Sequence, residues 1–159
     1  LLSTTVTHHN FYLSRIISVI VENHDAIAMK SEGAMVRFFD LQPSVSSVLT
    51  NVPLALFSGL FRPLAWEGGA LISLGVGFEN LILLVLIGVA LWYCRGREYS
   101  KTESILLTSW TLYVVVLAVL LTLSTPNFGT LTRIKVAYLP ILYIFALYNN
   151  NAVKRLSNR

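Results

Sequence analysis

The side chains best suited to chemistry in this sequence are a few charged residues that flank long apolar segments. The first are Arg62 and Glu67, in the motif Leu60-Phe-Arg-Pro-Leu-Ala-Trp-Glu67. A guanidinium presents planar, paired donors to phosphate, so this motif could bind an anionic headgroup. The alternative is structural, because Arg and Trp commonly anchor helices at a membrane interface and Glu67 could simply pair with Arg62.

Glu79 is a second candidate because it lies inside an apolar segment. A carboxylate there is costly unless it is paired, protonated or near the surface. If the helix core begins at Leu81, Glu79 lies at the outer interface and caps the helix N-terminus. If it begins at Ala70, the carboxylate is buried and faces Arg62 or Arg133. The interfacial position is favoured.

The third candidate is Thr125–Lys135, predicted to be an outer loop in which turn-forming residues precede two cations. Cations beside hydroxyl groups suit a phosphate or pyrophosphate on a lipid carrier, with interfacial anchoring as an equal alternative. The predicted substrate-binding residues are therefore Arg62, Glu67, Glu79, Arg133 and Lys135. No catalytic residue is predicted.

Other chemistries find no support in the sequence. His8, His9 and His24 lack metal-ligand spacing, and the single cysteine, Cys94, has no partner for a disulfide or a metal. The sequence contains no nucleophile elbow, phosphate-binding loop or dinucleotide fingerprint, so no cofactor and no metal are predicted. The net charge of +4 is scattered along the chain, which argues against nucleic-acid binding.

The elements that position these residues are membrane helices. The segment Ser104–Ser124 carries no charge and is long enough to cross the hydrocarbon of a bilayer. Ala70–Cys94 is a second apolar segment, interrupted only by Glu79 and Asn80. The composition, 55% apolar and 13% charged with a mean hydropathy of +0.66, indicates an integral membrane protein.

A third span is predicted at Val136–Tyr148, although a helix of this length covers only about 20 Å of about 30 Å of hydrocarbon. Lys135 could snorkel at one end and Pro140 falls within the first turn, where its missing N–H costs little. A re-entrant or interfacial helix is the alternative. One face of the central span is predicted to consist of Trp110, Val114, Leu117 and Leu121.

The N-terminal part is predicted to be helical but not spanning. Asn10–Lys30 shows apolar residues at helical spacing, which indicates an amphipathic outer helix, and Met35–Leu41 is a strand-like link or a lead-in to the next helix. From Pro43 onward the pattern predicts one or two helices, bent near Pro53 and lying along the membrane surface.

The predicted fold is therefore all-α, with about three transmembrane helices and amphipathic outer or interfacial helices. The predicted organisation is an outer helix and link (1–42), an interfacial helical segment (43–69), a membrane domain (70–148) and a basic cytoplasmic tail (149–159).

Orientation follows from the short basic segments. The loop after the first span contains Arg95, Arg97 and Lys101, and the tail contains Lys154, Arg155 and Arg159. The positive-inside rule places both segments in the cytoplasm. The N-terminal half and the loop between the second and third spans then lie outside, which for a bacterial inner membrane is the periplasm.

Several short motifs resemble the C-terminal portion of large bacterial membrane proteins related to O-antigen polymerases and ligases. They are Leu-Gln-Pro (41–43), Asn-Val-Pro (51–53), Leu-Phe-Arg-Pro-Leu-Ala-Trp-Glu (60–67), Glu-Asn (79–80), Pro-Asn-Phe-Gly-Thr-Leu-Thr-Arg (126–133) and Tyr-Leu-Pro (138–140). The resemblance implies a glycan-handling protein with an undecaprenyl-linked substrate, whose pyrophosphate is contacted by Arg62 and Arg133. Such proteins have many more spans than three, so we expect this chain to be part of a longer protein.

Two functions remain open. In the first, the chain belongs to a glycosyltransferase-type polymerase or ligase, with Arg62 and Arg133 stabilising the leaving pyrophosphate and Glu67 or Glu79 acting as pairing partner or base. In the second, it is a non-catalytic membrane subunit that packs against larger protein partners, with Gly88 and Ala90 on the first span permitting close approach.

Overall fold

The structure, a computed structural model, describes residues 12–31, 33–67, 71–95 and 97–148, and within them the fold is all-α. Its elements are α1 (Leu13–Lys30), α2 (Val45–Phe61), α3 (Leu71–Cys94), α4 (Lys101–Ser124), α5 (Phe128–Ile134), a 3₁₀ turn (Lys135–Ala137) and α6 (Leu139–Tyr148). The only β pairing in this part of the chain is one bridge between Met35 and Asn127. The predictions for His8, His9, the start of the first helix at Asn10 and the tail 149–159 lie outside the described residues.

Two helices are long and apolar enough to cross a membrane, α3 from Leu74 onward and α4. A third crossing is possible through a bent segment, in which Phe128–Ala137 meets α6 at an angle of 62°. Pro140 explains the bend, because a proline near a helix start cannot donate to the preceding turn and therefore interrupts the backbone ladder. The chain is thus a helical membrane protein with two or three spans.

The ends of the bent segment lie at opposite ends of α4. Phe128 follows the end of α4, whereas the last residue of α6, Tyr148, reaches the loop that joins α3 to α4. There the carbonyl of Tyr148 accepts a hydrogen bond from Arg97 Nη1 at 3.2 Å, and its hydroxyl donates to Glu103. A re-entrant segment would return to its starting side, so these contacts favour a bent span.

The core is formed where α2 and α6 each pack on both α3 and α4. Its buried members are Phe61, Leu83, Ile87, Val114, Ala118, Tyr138, Leu142 and Ala146. The segment expected to lie along the membrane surface in one or two helices is a single helix, α2, with Pro53 inside it. Its N-terminus is capped by Ser44, whose side chain accepts from the N–H of Ser47, and its C-terminal Phe61 enters the core.

The most tightly packed face of α4 differs from the predicted one and contains its smaller residues. Of the four residues predicted to form one face, Val114 is buried and the other three are half-buried. The closest approach occurs instead at Ala118 and Thr122, which meet Gly59 of α2. A Cβ at Gly59 would lie 2.5 Å from Thr122 Oγ1 and 2.7 Å from the Ala118 carbonyl oxygen, so this crossing requires glycine.

The N-terminal helix α1 is amphipathic as predicted and packs on α4. Its buried face contains Ile20, which shares an apolar cluster with Val119 and Leu123. The link after α1 runs beside the end of α4, where the N–H of Val36 donates to the Pro126 carbonyl at 2.9 Å. The link is thus extended but forms only a single β-bridge.

The prediction of an outer loop at Thr125–Lys135 was wrong, because most of this segment is helical. Asn127 is the N-cap of α5, and its Oδ1 accepts hydrogen bonds from the N–H groups of Gly129 at 2.8 Å and Thr130 at 3.3 Å. The same side chain donates to Ser31 Oγ at 2.9 Å, which ties α5 to the end of α1. An asparagine before a Phe and a Leu at helical spacing carried this signal.

Candidate functional site

The charged residues converge at the C-terminal end of α2. We use the term polar cluster for the side chains of Arg62, Glu67, Asn80 and Lys135. Asn80 lies about 21 Å along the axis of α3 from its end at Cys94. The polar cluster therefore lies toward the end of the bundle opposite the α3–α4 loop.

Arg62 and Glu67 form the ion pair that their spacing suggested. Arg62 Nε donates to Glu67 Oε1 at 2.8 Å and to Oε2 at 3.0 Å, and Nη2 donates to Oε1 at 2.5 Å. Glu67 Oε2 also accepts the N–H of Leu64 at 2.9 Å. The pair thus closes the turn that leads from α2 toward α3.

The guanidinium of Arg62 is held but not fully enclosed. It stacks on the ring of Phe128, the first residue of α5, at 5.0 Å from the ring centroid. Its side chain is 21% exposed, and among the described residues Nη1 meets only the hydroxyl of Ser58, at 3.5 Å. Because this distance is at the limit for a hydrogen bond, Nη1 is the donor of Arg62 most available to an anion.

Burial alone would raise the pKa of Glu67, but the hydrogen bonds from Arg62 and Leu64 and the charge of Arg62 hold it below its ordinary value. The carboxylate is therefore ionised and fully engaged at neutral pH. Such a group is suited to orienting Arg62 and poorly suited to accepting a proton as a general base.

We expect Glu67→Gln to lower stability at neutral pH by about 1.5 to 3 kcal/mol, because glutamine lacks the charge and replaces one of the two acceptor oxygens of this largely buried side chain with a donor. A lowered pKa in the folded state stabilises the fold above the ordinary value of 4.5, and this contribution is lost as the pH falls through the lowered pKa. Wild type should thus lose stability below about pH 4.5 more steeply than the variant. Thermal melting in detergent, monitored by size-exclusion chromatography at a series of pH values, measures the stability of wild type and variant as a function of pH.

The control is Glu22→Gln, since Glu22 pairs with Arg15 on an exposed face of α1, where 61% of its side chain is accessible. Its neutral-pH stability should stay within about 0.5 kcal/mol of wild type. If wild type and Glu67→Gln lost stability equally steeply as the pH fell, the Arg62–Glu67 pair would not stabilise the fold.

Lys135 is buried, with only 2% of its surface exposed. Its ammonium donates to the carbonyls of Leu60 at 3.3 Å and Arg62 at 2.5 Å, and to Asn80 Oδ1 at 3.2 Å. These three acceptors match its three N–H groups. Two of them are backbone carbonyls at the C-terminus of α2, where the helix itself supplies no partner and a cation is favourable. Lys135 therefore caps α2 rather than snorkelling to the interface.

Asn80 joins the turn after α2 to α3. Its Nδ2 donates to the carbonyl of Pro63 at 2.8 Å while its Oδ1 accepts from Lys135. The neighbouring turn lies directly against α3, since a Cβ at Gly77 would be 2.3 Å from the Cα of Ala65. The polar cluster thus depends on a backbone contact that only glycine allows.

Glu79 neither caps the N-terminus of its helix nor lies buried against an arginine, as the two alternatives had it. The helix begins upstream at Leu71, so Glu79 cannot cap its N-terminus. The side chain is exposed and accepts a hydrogen bond from the hydroxyl of Tyr143 at 3.2 Å, and it pairs with no arginine among the described residues. Asn80, the next residue of the helix, is buried instead and belongs to the polar cluster.

Arg133 is exposed on α5 and has no hydrogen-bond or ion-pair partner within the described part of the chain. Helical spacing explains this, because Phe128, Leu131 and Lys135 share the inward face and Arg133 points away from it. The structure therefore joins Arg62, Glu67 and Lys135 through hydrogen bonds, and the charge of Glu79 acts on Lys135, whereas Arg133 forms none of these described contacts.

Three participants were missed from the sequence. Asn80 and Phe128 stand in motifs that carry the resemblance but were not predicted to belong to the site, and Ser58 was not considered. A buried amide inside an apolar span was the available signal for Asn80, since such a group requires hydrogen-bond partners. No local pattern indicates that Phe128 stacks on Arg62, because the contact joins α5 to the end of α2.

A second group of polar side chains lies at the α3–α4 loop. Arg97 stacks on the rings of Tyr99 at 4.9 Å and Tyr148 at 4.5 Å, and its Nη2 is 3.5 Å from Glu103 Oε1. Burial, together with a hydrogen bond from its hydroxyl to Cys94 Sγ, raises the pKa of Tyr99 to about 12. These contacts fasten the end of α6 to the hairpin.

Chemically, the polar cluster can stabilise an anion through Arg62 but offers no free base. No group of three His, Cys, Asp or Glu side chains suited to a metal occurs among the described residues. Comparison of the chain with protein families, with curated proteins and with solved structures found no match.

Proposed function

We propose that this chain is the membrane-embedded part of a bacterial envelope protein that assembles polysaccharide from lipid-linked, phosphate-bearing sugars. One observation carries the proposal. Motifs far apart in the sequence, at 60–67, 79–80 and 126–133, supply residues that meet in or against the polar cluster, namely Arg62, Glu67, Asn80 and Phe128. These are the motifs on which the resemblance to O-antigen polymerases and ligases rests.

In this proposal the phosphate-binding groups are Arg62 and Arg133. Arg62 offers Nη1, while Glu67 and Phe128 fix the plane of its guanidinium. Arg133 provides a second cation on α5, the helix on which Arg62 stacks. Glu67 positions Arg62, and Lys135 and Asn80 hold the end of α2 in place without contacting substrate.

The proposed location is the inner membrane, with the polar cluster on the periplasmic side. The basic loop containing Arg95, Arg97 and Lys101 lies at the opposite end of the bundle, which the positive-inside rule assigns to the cytoplasm. A lipid-linked sugar at the outer surface would thus present its phosphate toward Arg62 and Arg133.

Arg133 provides the sharpest test, because its side chain is exposed and no described contact of the fold depends on it. In the full-length protein, Arg133→Ala should lower glycan output about ten-fold or more, equivalent to the loss of a charged hydrogen bond. Arg133→Lys should be nearly as defective, because an ammonium lacks the planar fork. Output is measured by gel electrophoresis of surface polysaccharide in a strain lacking its own copy.

The control variant is Arg37→Ala, another exposed arginine. It should give normal output, and immunoblots should show equal amounts of all variants in the membrane. Normal output from both Arg133 variants would contradict the proposed phosphate contact.

The second candidate is a non-catalytic membrane subunit that packs against a larger partner. It is favoured by the closed character of the polar cluster, since every buried side-chain nitrogen and oxygen among the described residues has a hydrogen-bond partner. Gly88 lies on an exposed part of α3 and could admit a neighbour, whereas Ala90 is fully buried within the chain itself. Loss of glycan output in Arg133→Lys at normal protein levels argues against this candidate.

A further inference from the structure

An apolar cavity of about 170 Å³ lies between α2, α3, α4 and α6. Its walls include Leu60, Ile87, Leu91, Trp110, Val114 and Phe145. A cavity of about 150 Å³ with a similar lining stays dry and accepts benzene. This cavity therefore has room for a segment of roughly six carbons of an alkyl chain.

A groove on α3 adjoins this cavity at Leu91 and extends toward the end of the helix. It is lined by Gly88, Leu91, Trp92 and Arg95, and Leu91 also lines the cavity. The spacing of these four residues places them along one face of the helix. Gly88 leaves the groove open, because a Cβ there would meet no described atom within 4 Å. From Ile87 to Arg95 the path is about 12 Å long.

The charge at the end of the groove is not neutralised by the described protein. Arg95 is exposed and has no ion-pair partner among the described residues, whereas the neighbouring Arg97 is paired with Glu103. The only other carboxylate between residues 95 and 103 is that of Glu98, and Lys101 balances its charge in the net charge of this segment. An anionic group would thus complement Arg95.

We propose that the groove and cavity bind one anionic phospholipid of the surrounding bilayer. Its phosphate pairs with Arg95, and one acyl chain passes Gly88 and Leu91 into the cavity. The bilayer is the source because the groove runs along a helix that is long and apolar enough to span the membrane. This site lies at the opposite end of the bundle from the polar cluster and does not depend on the proposed glycan chemistry.

The test uses delipidated full-length protein in detergent, incubated with equal amounts of dioleoyl phosphatidylglycerol and dioleoyl phosphatidylcholine. Native mass spectrometry should show one phosphatidylglycerol retained in preference to phosphatidylcholine. Arg95→Gln should lower the ratio of the two lipids about five-fold, the effect expected for one basic residue at a membrane surface. Gly88→Leu should abolish retention, because the leucine side chain fills the groove.

Matched controls separate binding from folding. Gly75→Leu places the same side chain on an equally open part of α3, since a Cβ at Gly75 also meets no described atom within 4 Å, and the variant should retain the lipid. Arg37→Gln removes an exposed charge elsewhere and should leave the ratio unchanged. Equal retention of both lipids, a wild-type ratio in Arg95→Gln, or retained lipid in Gly88→Leu would each overturn the proposal. A co-purifying protein that Gly88→Leu displaces would identify the groove as a protein interface instead.

Discussion

Gly77→Ala should destabilise the protein by about 3 kcal/mol or more and deplete the folded form from the membrane. The added Cβ would lie 2.3 Å from the Cα of Ala65 and 2.4 Å from its backbone nitrogen. Because these are backbone atoms, no change of side-chain rotamer relieves the overlap, and α3 must move away from the turn after α2. That movement would separate Asn80 from Pro63 and open the polar cluster.

Gly75→Ala is the matched control, two residues earlier on the same helix. A Cβ at Gly75 meets no described atom within 4 Å, so the substitution should be neutral or stabilising by up to about 1 kcal/mol through helix propensity. Melting temperatures in detergent and protein amounts in the membrane distinguish the two variants. Equal behaviour of both would mean that the turn does not lie against α3 as described.

The spans could be predicted from the sequence because length and apolarity are local properties. The end of α3 at Cys94 and the end of α4 at Ser124 coincide with the predicted ends. The start of α4 was placed too late, at Ser104 instead of Lys101. Its true start is set by a capping box, in which Ser100 accepts from the N–H of Glu103 and the Glu103 side chain accepts from the N–H of Ser100.

The candidate site was predictable only where its contacts are short in sequence. The Arg62–Glu67 pair joins residues five apart and follows from their charges. Lys135 and Asn80 are 55 residues apart, and their contact depends on how the bend before α6 brings the 3₁₀ turn against α3. Lys135 was predicted to snorkel to an interface because it directly precedes Val136–Tyr148, which was taken to be a straight span.

Lys135→Met should cost about 3 kcal/mol or more, although methionine has a similar length and suits an apolar environment. Without the ammonium, the carbonyls of Leu60 and Arg62 and the Oδ1 of Asn80 lose a buried donor, and each unsatisfied acceptor costs about 1 to 3 kcal/mol. Arg133→Met is the control, since Arg133 is exposed two residues away, and it should stay within about 0.5 kcal/mol of wild type.

Combining Lys135→Met with Asn80→Leu tests whether the two residues act as one unit. Each single change leaves the other partner with an unfilled hydrogen-bonding group in the core, whereas the double variant removes both sides of that contact. The double variant should therefore be less destabilised than the sum of the single variants, by about 1 kcal/mol or more. Thermal melting of all four proteins in detergent measures this coupling. Strictly additive losses would show that Lys135 and Asn80 are not coupled, and a Lys135→Met protein as stable as Arg133→Met would show that the ammonium does not hold α2 in place.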